Sequence, residues 1–329
     1  MEYQALGNSD LNVSIYALGC WSFAGGRYWG EQDDDVSIAT VHAALDAGIN
    51  FFDTAEAYET GTSERVLGRA LLGRRDQAII ATKVAPNHLA AADVIAACEQ
   101  SLRHLQTDYI DLYLIHWPNW EVPLEETVGA MEKLKSQGKI REVGVCNFGV
   151  RDLTEILELY PIVTDQLPYS LLWRVIEREI LPLCRTNNVG VMCYSPLAQG
   201  LLTGRYASAD EVPPGLARTR YYNSSRANGD HNEPGVEAEV FAALAGIKRI
   251  ADGLGQPMAA VALAWLRQQP GVATILVGAR TPQELALNLP ALDLHLTPDV
   301  IQELNDVTEP VKEKLGNNPD MWLVPSRMR

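Results

Sequence analysis

The sequence predicts a parallel (β/α)8 barrel, one domain spanning residues 1–329, with an N-terminal β-hairpin and long loops at the C-terminal ends of its strands. Three observations carry that prediction. Short apolar runs rich in β-branched residues alternate with amphipathic stretches down the whole chain, the pattern of strands covered on both faces by helices. There are eight such runs, the number that closes a (β/α)8 barrel. One long segment breaks the alternation after the seventh run, on the face where such barrels carry their functional loops.

Taken in order, residues 1–15 place Gly7-Asn8-Ser9 between two short apolar stretches, which reads as a hairpin ahead of the barrel. The expected barrel strands are Tyr16–Gly19, Ile49–Asp53, Ala78–Lys83, Ile110–Ile115, Glu142–Cys146, Ile162–Gln166, Gly190–Tyr194 and Ala273–Val277. Helices are expected over residues 33–47, where Asp33-Asp34-Asp35 suits the positive end of a helix dipole, and over 63–72 with Ser63 as N-cap. Further helical spacing covers 92–106, 124–137 and 175–187, and Pro257 reads as the first-turn proline of a helix ending near Gln269. Residues 204–235, rich in Pro, Gly, Asn and Arg, show no periodicity.

Composition excludes several classes. With 27 basic and 42 acidic residues the net charge is −15, which argues against a nucleic-acid or anionic-membrane partner. Cys20, Cys98, Cys146, Cys184 and Cys193 form no C-x-x-C pair and fit free thiols of a reducing compartment. The histidines show neither H-x-H nor H-E-x-x-H spacing, so no metal is expected. Met1-Glu2-Tyr3-Gln4 opens no targeting signal and no stretch approaches a membrane span, so a cytoplasmic location is expected. The sequence assigns no oligomeric state.

Chemistry in such a barrel sits where strands end. Asp53 ends the second strand with Tyr58 five residues on, Lys83 ends the third and His116 follows the fourth. Singly, Asp53 reads as a turn cap, Tyr58 as a half-buried aromatic and His116 as a structural histidine. Lys83 is different, because a lysine at the end of a buried strand needs a charged partner, and Asp53 on the neighbouring strand supplies one. Together they make a proton donor. A phenol of pKa about 10 holds its proton at neutral pH, an adjacent ammonium lowers that pKa, the carboxylate orients the ammonium, and a histidine donates to a carbonyl oxygen.

The stretch from Gly48 to Gly68, with Asp53-Thr54-Ala55, Tyr58, Gly61, Ser63-Glu64 and Leu67-Gly68, resembles the aldo-keto reductase signature. Ile79–Lys83, Asp111–Pro118 and Gly138–Phe148 agree with it in family order, and the resemblance covers residues 2 to about 309. It implies an NAD(P)H-dependent oxidoreductase that interconverts an aldehyde, ketone or sugar carbonyl with an alcohol. Tyr58 would be its general acid/base, assisted by Lys83, Asp53 and His116. The family's cofactor positions fall on Trp21, Asp53, Cys146, Asn147, Gln166, Tyr194, Ser195, Pro196, Leu197, Gln199, Gly200, Arg226, Gly278, Arg280, Glu284 and Asn288. Two of these depart from the family, which usually has serine at Cys146 and often glutamine at Glu284. Arg280 favours a 2′-phosphate and so NADP, with NAD possible, while Glu284, one helical turn away, would either repel that phosphate or neutralise Arg280. Trp21, Tyr28, Trp29, Trp117 and Trp120 would line the substrate side. Some members of this family serve instead as regulatory subunits of membrane channels. The complete tetrad and the lack of an added partner-binding domain favour an enzyme. A metal-dependent barrel hydrolase lacks its ligand set here.

Overall fold

Strand after strand lies parallel to its neighbour in the computed structural model, which describes residues 1–226 and 229–329, with the backbone alone of Arg27 and Tyr28. A two-stranded antiparallel hairpin, β1 (Tyr3–Ala5) and β2 (Asn12–Ser14), comes first. The barrel strands are β3 (Tyr16–Gly19), β4 (Phe51–Asp53), β5 (Ile79–Val84), β6 (Ile110–Ile115), β7 (Ile140–Cys146), β8 (Thr164–Pro168), β9 (Gly190–Tyr194) and β10 (Val272–Gly278). They follow one another round the sheet, and β10 pairs with β3 to close it. The sixth expected strand lies two residues further on than its apolar run, because Ile162 and Val163 are spent on packing before the β8 ladder begins.

Both faces of each strand are buried, so the runs are continuously apolar rather than alternating. On β6, Leu112 and Leu114 point into the barrel lumen while Tyr113 and Ile115 pack outward under the helices. The lumen holds Ala17, Phe51, Ala81, Met192, Ala273 and Leu276, and the hairpin adds Leu6, Leu11 and Val13 to the same cluster. The hairpin is thus a plug for one end of the barrel. Its tip comes so close that a Cβ on Gly7, whose φ is +56°, would lie 2.1 Å from the Val163 carbonyl oxygen, which is why glycine stands there.

The helices between strands are α1 (Gly26–Trp29), α2 (Asp34–Asp46), α3 (Thr62–Ala70), α4 (Ala91–Leu105), α5 (Leu124–Ser136), α6 (Val150–Leu159), α7 (Ile180–Thr186), α8 (Glu237–Gly253) and α9 (Met258–Arg267), and α10 (Pro282–Asn288) and α11 (Pro298–Leu315) follow the last strand. Asp33 caps α2 by accepting the Val36 amide at 3.0 Å. Ser63 does not cap α3; Gly61 does, and the Ser63 hydroxyl donates inward to the Cys20 carbonyl at 2.7 Å. The span 175–187 divides into a 3-10 turn, Val175–Glu177, and α7. Pro257 stands one residue ahead of α9, at its N-cap. Among the described residues no helix is long and apolar enough to cross a membrane.

The long segment after β9 is anchored by buried residues Arg218 to Tyr222. Arg220 donates to the carbonyls of Leu315, Asn318 and Asp320 and so ties this segment to the C-terminal tail. The tail crosses the end of the barrel opposite the plug. Its Asp320 is fully buried and accepts the Arg327 guanidinium at 2.8 and 3.1 Å.

Candidate active site

Period-two geometry explains how the tetrad meets. Phe51, Ala81 and Leu114 face the lumen. The residues two positions further along, Asp53, Lys83 and His116, face the same way at the strand ends. Tyr58 arrives from the turn after β4, with its amide on the Ala55 carbonyl. Lys83 has no solvent exposure. Its ammonium donates to Asp53 Oδ2 at 2.8 Å, to the Thr54 carbonyl at 2.8 Å and to the Tyr58 hydroxyl at 3.3 Å. An ammonium has three donors, and all are used, which is what makes the burial of this charge tolerable. Asp53 Oδ1 accepts the Gln166 amide at 2.7 Å. The Tyr58 ring stacks on Trp21 (centroids 5.6 Å apart, planes 22° apart) and meets His116 edge-on at 5.8 Å.

The electrostatics correct one expectation. Burial holds the Tyr58 phenol above its ordinary value, and the charge of Lys83 pulls it down only in part. The phenol is therefore a firmly protonated acid rather than a weakened one. Burial also works against the charge on Lys83, but Asp53 and Tyr58 more than offset it and the ammonium is held more tightly than in water. Burial, then Lys83 and Arg327, push His116 well below the usual histidine range, so its imidazole is neutral at neutral pH.

Residues 17–309 match the model of the aldo/keto reductase family. The chain belongs to that family. It is 34% identical to aldo-keto reductase YhdN of Bacillus subtilis (strain 168), over 99% of each chain. It is also 34% identical to the NADH-specific methylglyoxal reductase of Escherichia coli (strain K12), over 90% of this chain and 95% of that one. Among solved structures it resembles an aldo-keto reductase from Klebsiella pneumoniae in complex with NADPH, with a TM-score of 0.75, 30% identity, and coverage of 94% of this chain and 95% of that one. This aldo-keto reductase is accordingly an oxidoreductase of carbonyl and alcohol groups that works with a nicotinamide cofactor.

Next to the tetrad the reductase gathers Cys146, Asn147, Gln166 and Tyr194. The Asn147 amide donates to the His116 carbonyl at 3.1 Å and to Cys146 Sγ at 3.0 Å, and it accepts the Tyr194 hydroxyl at 2.8 Å. Cys146 Sγ lies 3.6 Å from Gln166 Oε1, so the thiol takes a hydroxyl's place in the network with longer, weaker contacts. After β9, Ser195, Ala198, Gln199 and Gly200 all have positive φ, which turns Ser195–Gly200, with Pro196 and Leu197 between, into a tight wrap. The Gln199 side-chain oxygen in that wrap is buried without a hydrogen-bond partner among the described residues.

After β10, Thr281 caps α10 through the Glu284 amide, and the Glu284 carboxylate accepts the Arg280 backbone N–H at 2.8 Å. Glu284 thus does not pair with the Arg280 guanidinium, one of the two alternatives expected for it. The Arg280 guanidinium turns instead to Gln32 Oε1 at 2.8 Å and to the Glu31 carbonyl. Asn288 is buried and donates to the Glu284 carbonyl at 3.2 Å. The Arg226 guanidinium, from the long segment after β9, is engaged by Glu237 and Asp210 at 2.6 to 3.0 Å.

Of the aromatic residues expected to face substrate, Trp21 meets Trp29 edge-on at 5.5 Å. Trp117 lies under the Arg327 guanidinium at 3.6 Å. Trp120 does not join them. It is 49% exposed, donates to Asp152 at 3.0 Å, and lines a side groove of about 290 Å³ with Glu155, Glu158 and Arg329. The Tyr28 side chain lies outside the described residues. Sequence reading missed Arg218 and Arg327 and left the tail unplaced. The tail sets the Trp322 indole N–H on the Tyr194 hydroxyl at 3.3 Å. The one signal for this was Trp322, two residues after Asp320, in the tail.

Proposed function

We propose that this reductase converts aldehydes or ketones to alcohols with NADPH, and the reverse, with Tyr58 as the general acid/base. The observation that supports it best is the saturated Lys83 ammonium joining Asp53 to the Tyr58 hydroxyl beside a neutral His116. The residues present fit a dinucleotide. A Cβ on Gly278 would meet no protein atom within 4 Å and no positive φ demands glycine there, so close approach of a ligand gives the residue its reason. The orphaned oxygen of Gln199 adds an unused polar group to the neighbouring wrap. Asn147 and Gln166 would hold the carboxamide, the Tyr194 ring would face the nicotinamide, Ser195 to Gly200 would carry the pyrophosphate, and Gly278 to Asn288 the adenosine phosphate. Arg280 favours NADPH. Glu284 reduces the margin by occupying a backbone amide of that block, so NADH is the weaker cofactor.

When bound, the cofactor supplies the hydride. The chain supplies the rest. Neutral His116 donates an N–H to the carbonyl oxygen and orients the reacting carbon. As negative charge grows on that oxygen, the Tyr58 phenol passes it a proton, and Lys83 stabilises the phenolate left behind. Asp53, braced by Gln166, keeps Lys83 charged and aimed. Trp21 covers one face of the phenol and excludes water. Solvent then restores the proton to Tyr58, so each turnover consumes one hydride and one proton.

The test is multiple-turnover consumption of NADPH, and separately of NADH, against a panel of simple aldehydes, ketones and sugars, with alcohol product quantified. Sustained turnover with tighter NADPH is expected. Oxidation that halts after one equivalent would point instead to a cofactor-sensing regulatory subunit.

A further inference from the structure

The turn that delivers Tyr58 is strained. Glu59, Thr60 and Gly61 run left-handed in succession, with φ of 45°, 51° and 81°, which costs energy at the two positions that carry side chains. A carboxylate is buried nearby. Glu64 has no solvent exposure, and among the described residues its side-chain partners are a hydroxyl and an imidazole. Its Oε1 accepts the Thr82 hydroxyl at 2.6 Å, and its Oε2 lies 3.0 Å from His104 Nδ1. Strain and buried charge are both unfavourable by themselves, and here they fall together just after the proton donor.

His104, in the last turn of α4, joins the two features. Gly61 rests on its ring, where a Cβ would lie 2.2 Å from Nδ1. Arg65 also holds the turn. Its guanidinium donates to the Thr60 carbonyl at 3.1 Å and to the Thr62 hydroxyl at 2.9 Å, and it reaches His104 Nε2 at 3.2 Å. The Gln100 amide nitrogen points at the same Nε2, while its oxygen accepts from Arg103. With donors converging on Nε2, the ring proton stands on Nδ1 and is given to Glu64. The first turn of α3 in turn holds both neighbours of the Asp53–Lys83 pair. Glu64 accepts from Thr82, which precedes Lys83, and Ser63 accepts at 2.9 Å the hydroxyl of Thr54, which follows Asp53. The Thr54 carbonyl is itself an acceptor of the Lys83 ammonium.

Resting on the reductase reading above, we propose that His104 and Glu64 are positioning residues for the proton donor: they clamp the strained turn so that the Tyr58 hydroxyl stays on Lys83 and within reach of the substrate oxygen. Without the clamp the turn relaxes and the phenol leaves the ammonium that stabilises its anion. Proton transfer then slows while cofactor and substrate still bind. A shift of about 1 Å is enough to cost roughly a hundredfold in rate.

The experiment uses the natural chain, His104→Ala, His104→Asn and Glu64→Gln. It measures kcat and KM for aldehyde reduction, the NADPH dissociation constant and the pH profile of alcohol oxidation. The rate comparison is repeated in the Tyr58→Phe background by single turnovers with excess enzyme. His104→Ala is expected to lower kcat by roughly ten- to a hundredfold, with KM and NADPH affinity held within a factor of about three. In the Tyr58→Phe background the same change is expected to cost less than about twofold, because the phenol through which it acts is gone. The alkaline limb of oxidation is expected to move to higher pH. Lys83, Asp53, Cys146 and His116, the titratable groups that face the phenol, are unchanged, and only its hold on Lys83 is loosened. His104→Asn places an amide N–H where Nδ1 stood and is expected to keep most of kcat. Circular dichroism reports folding. If His104→Ala does not fold, Glu64→Gln carries the same comparison, since it keeps the shape and a carbonyl for Thr82 but offers His104 no carboxylate. A folded variant with the natural kcat, an oxidation limb that does not move, or an equal loss with and without the Tyr58 hydroxyl overturns the proposal. So does a loss that falls on KM or NADPH affinity instead of kcat, or an asparagine variant no faster than the alanine one. In each of these cases aldehyde turnover by the natural chain leaves the reductase reading standing. No turnover by the natural chain with any aldehyde sinks both.

Discussion

Tyr58 is held between opposed influences: burial keeps its proton on, and Lys83 at 3.3 Å favours letting it go. The consequence is a pH dependence that differs with direction. Reduction needs the protonated phenol, so its rate should stay flat through neutral pH and fall only in the alkaline range. Alcohol oxidation needs the phenolate and should rise over that same range. Lys83→Met removes the charge that lowers the phenol's pKa, so the alkaline limb of oxidation should move to higher pH. Among the described residues it also leaves Asp53 with only the Gln166 amide as a side-chain partner, a broken buried pair of the kind that costs about 3–5 kcal/mol. Rate profiles of both directions against pH, with urea melts, read both effects, and an unmoved oxidation limb would disprove the coupling. The tetrad was legible in the sequence because two-residue spacing from lumen positions dictates where Asp53, Lys83 and His116 point. The partners of the Glu284 carboxylate and of Arg226 were not legible. Whether a charged side chain turns to a backbone amide, a neighbouring carboxylate or a ligand depends on partners far away in the chain, such as Gln32 for Arg280 and Glu237 for Arg226.

At the scale of elements, the hairpin closes the barrel with Leu6, Leu11 and Val13 against Phe51, Leu112 and Met192. Leu6 has no exposed surface. Leu6→Ala should therefore cost about 2–5 kcal/mol, the range for a leucine removed from a packed core. Because the plug and the tetrad occupy opposite ends, the folded fraction should keep its kcat. A urea midpoint within error of the parent would show that the hairpin does not brace the lumen, and a large loss of kcat at full folding would show that the ends are not independent. The strands were readable because double-sided burial writes an unbroken apolar run. Strand boundaries were less so: Ile162 and Val163 are as apolar as any strand residue but sit before the β8 ladder. The split of residues 175–187 escaped notice because Val175 and Ile176 keep helical spacing with α7 while serving a separate turn.

Across the whole molecule the two ends of the barrel divide the labour. One end is stoppered by apolar side chains. The other carries the tetrad, the tight wrap at Ser195–Gly200 and a tail that sets Trp322 on Tyr194. The order of strands made that mouth predictable, but its roof was not. Trp322 and Tyr194 are 128 positions apart, and nothing local in the tail announces which surface it covers. The central claim is that this mouth delivers a hydride and the Tyr58 proton to one carbonyl. The most direct measurement is paired: steady-state aldehyde reduction and the NADPH dissociation constant, in the natural chain and in Tyr58→Phe. Loss of the phenolic proton should lower kcat by roughly 10²–10⁴-fold, the range of general acid catalysis, while NADPH affinity stays within a factor of about two, since the hydroxyl's hydrogen bond is made to Lys83 and is worth little to the cofactor. Undiminished turnover by Tyr58→Phe, with the same pH profile as the natural chain, would contradict the account.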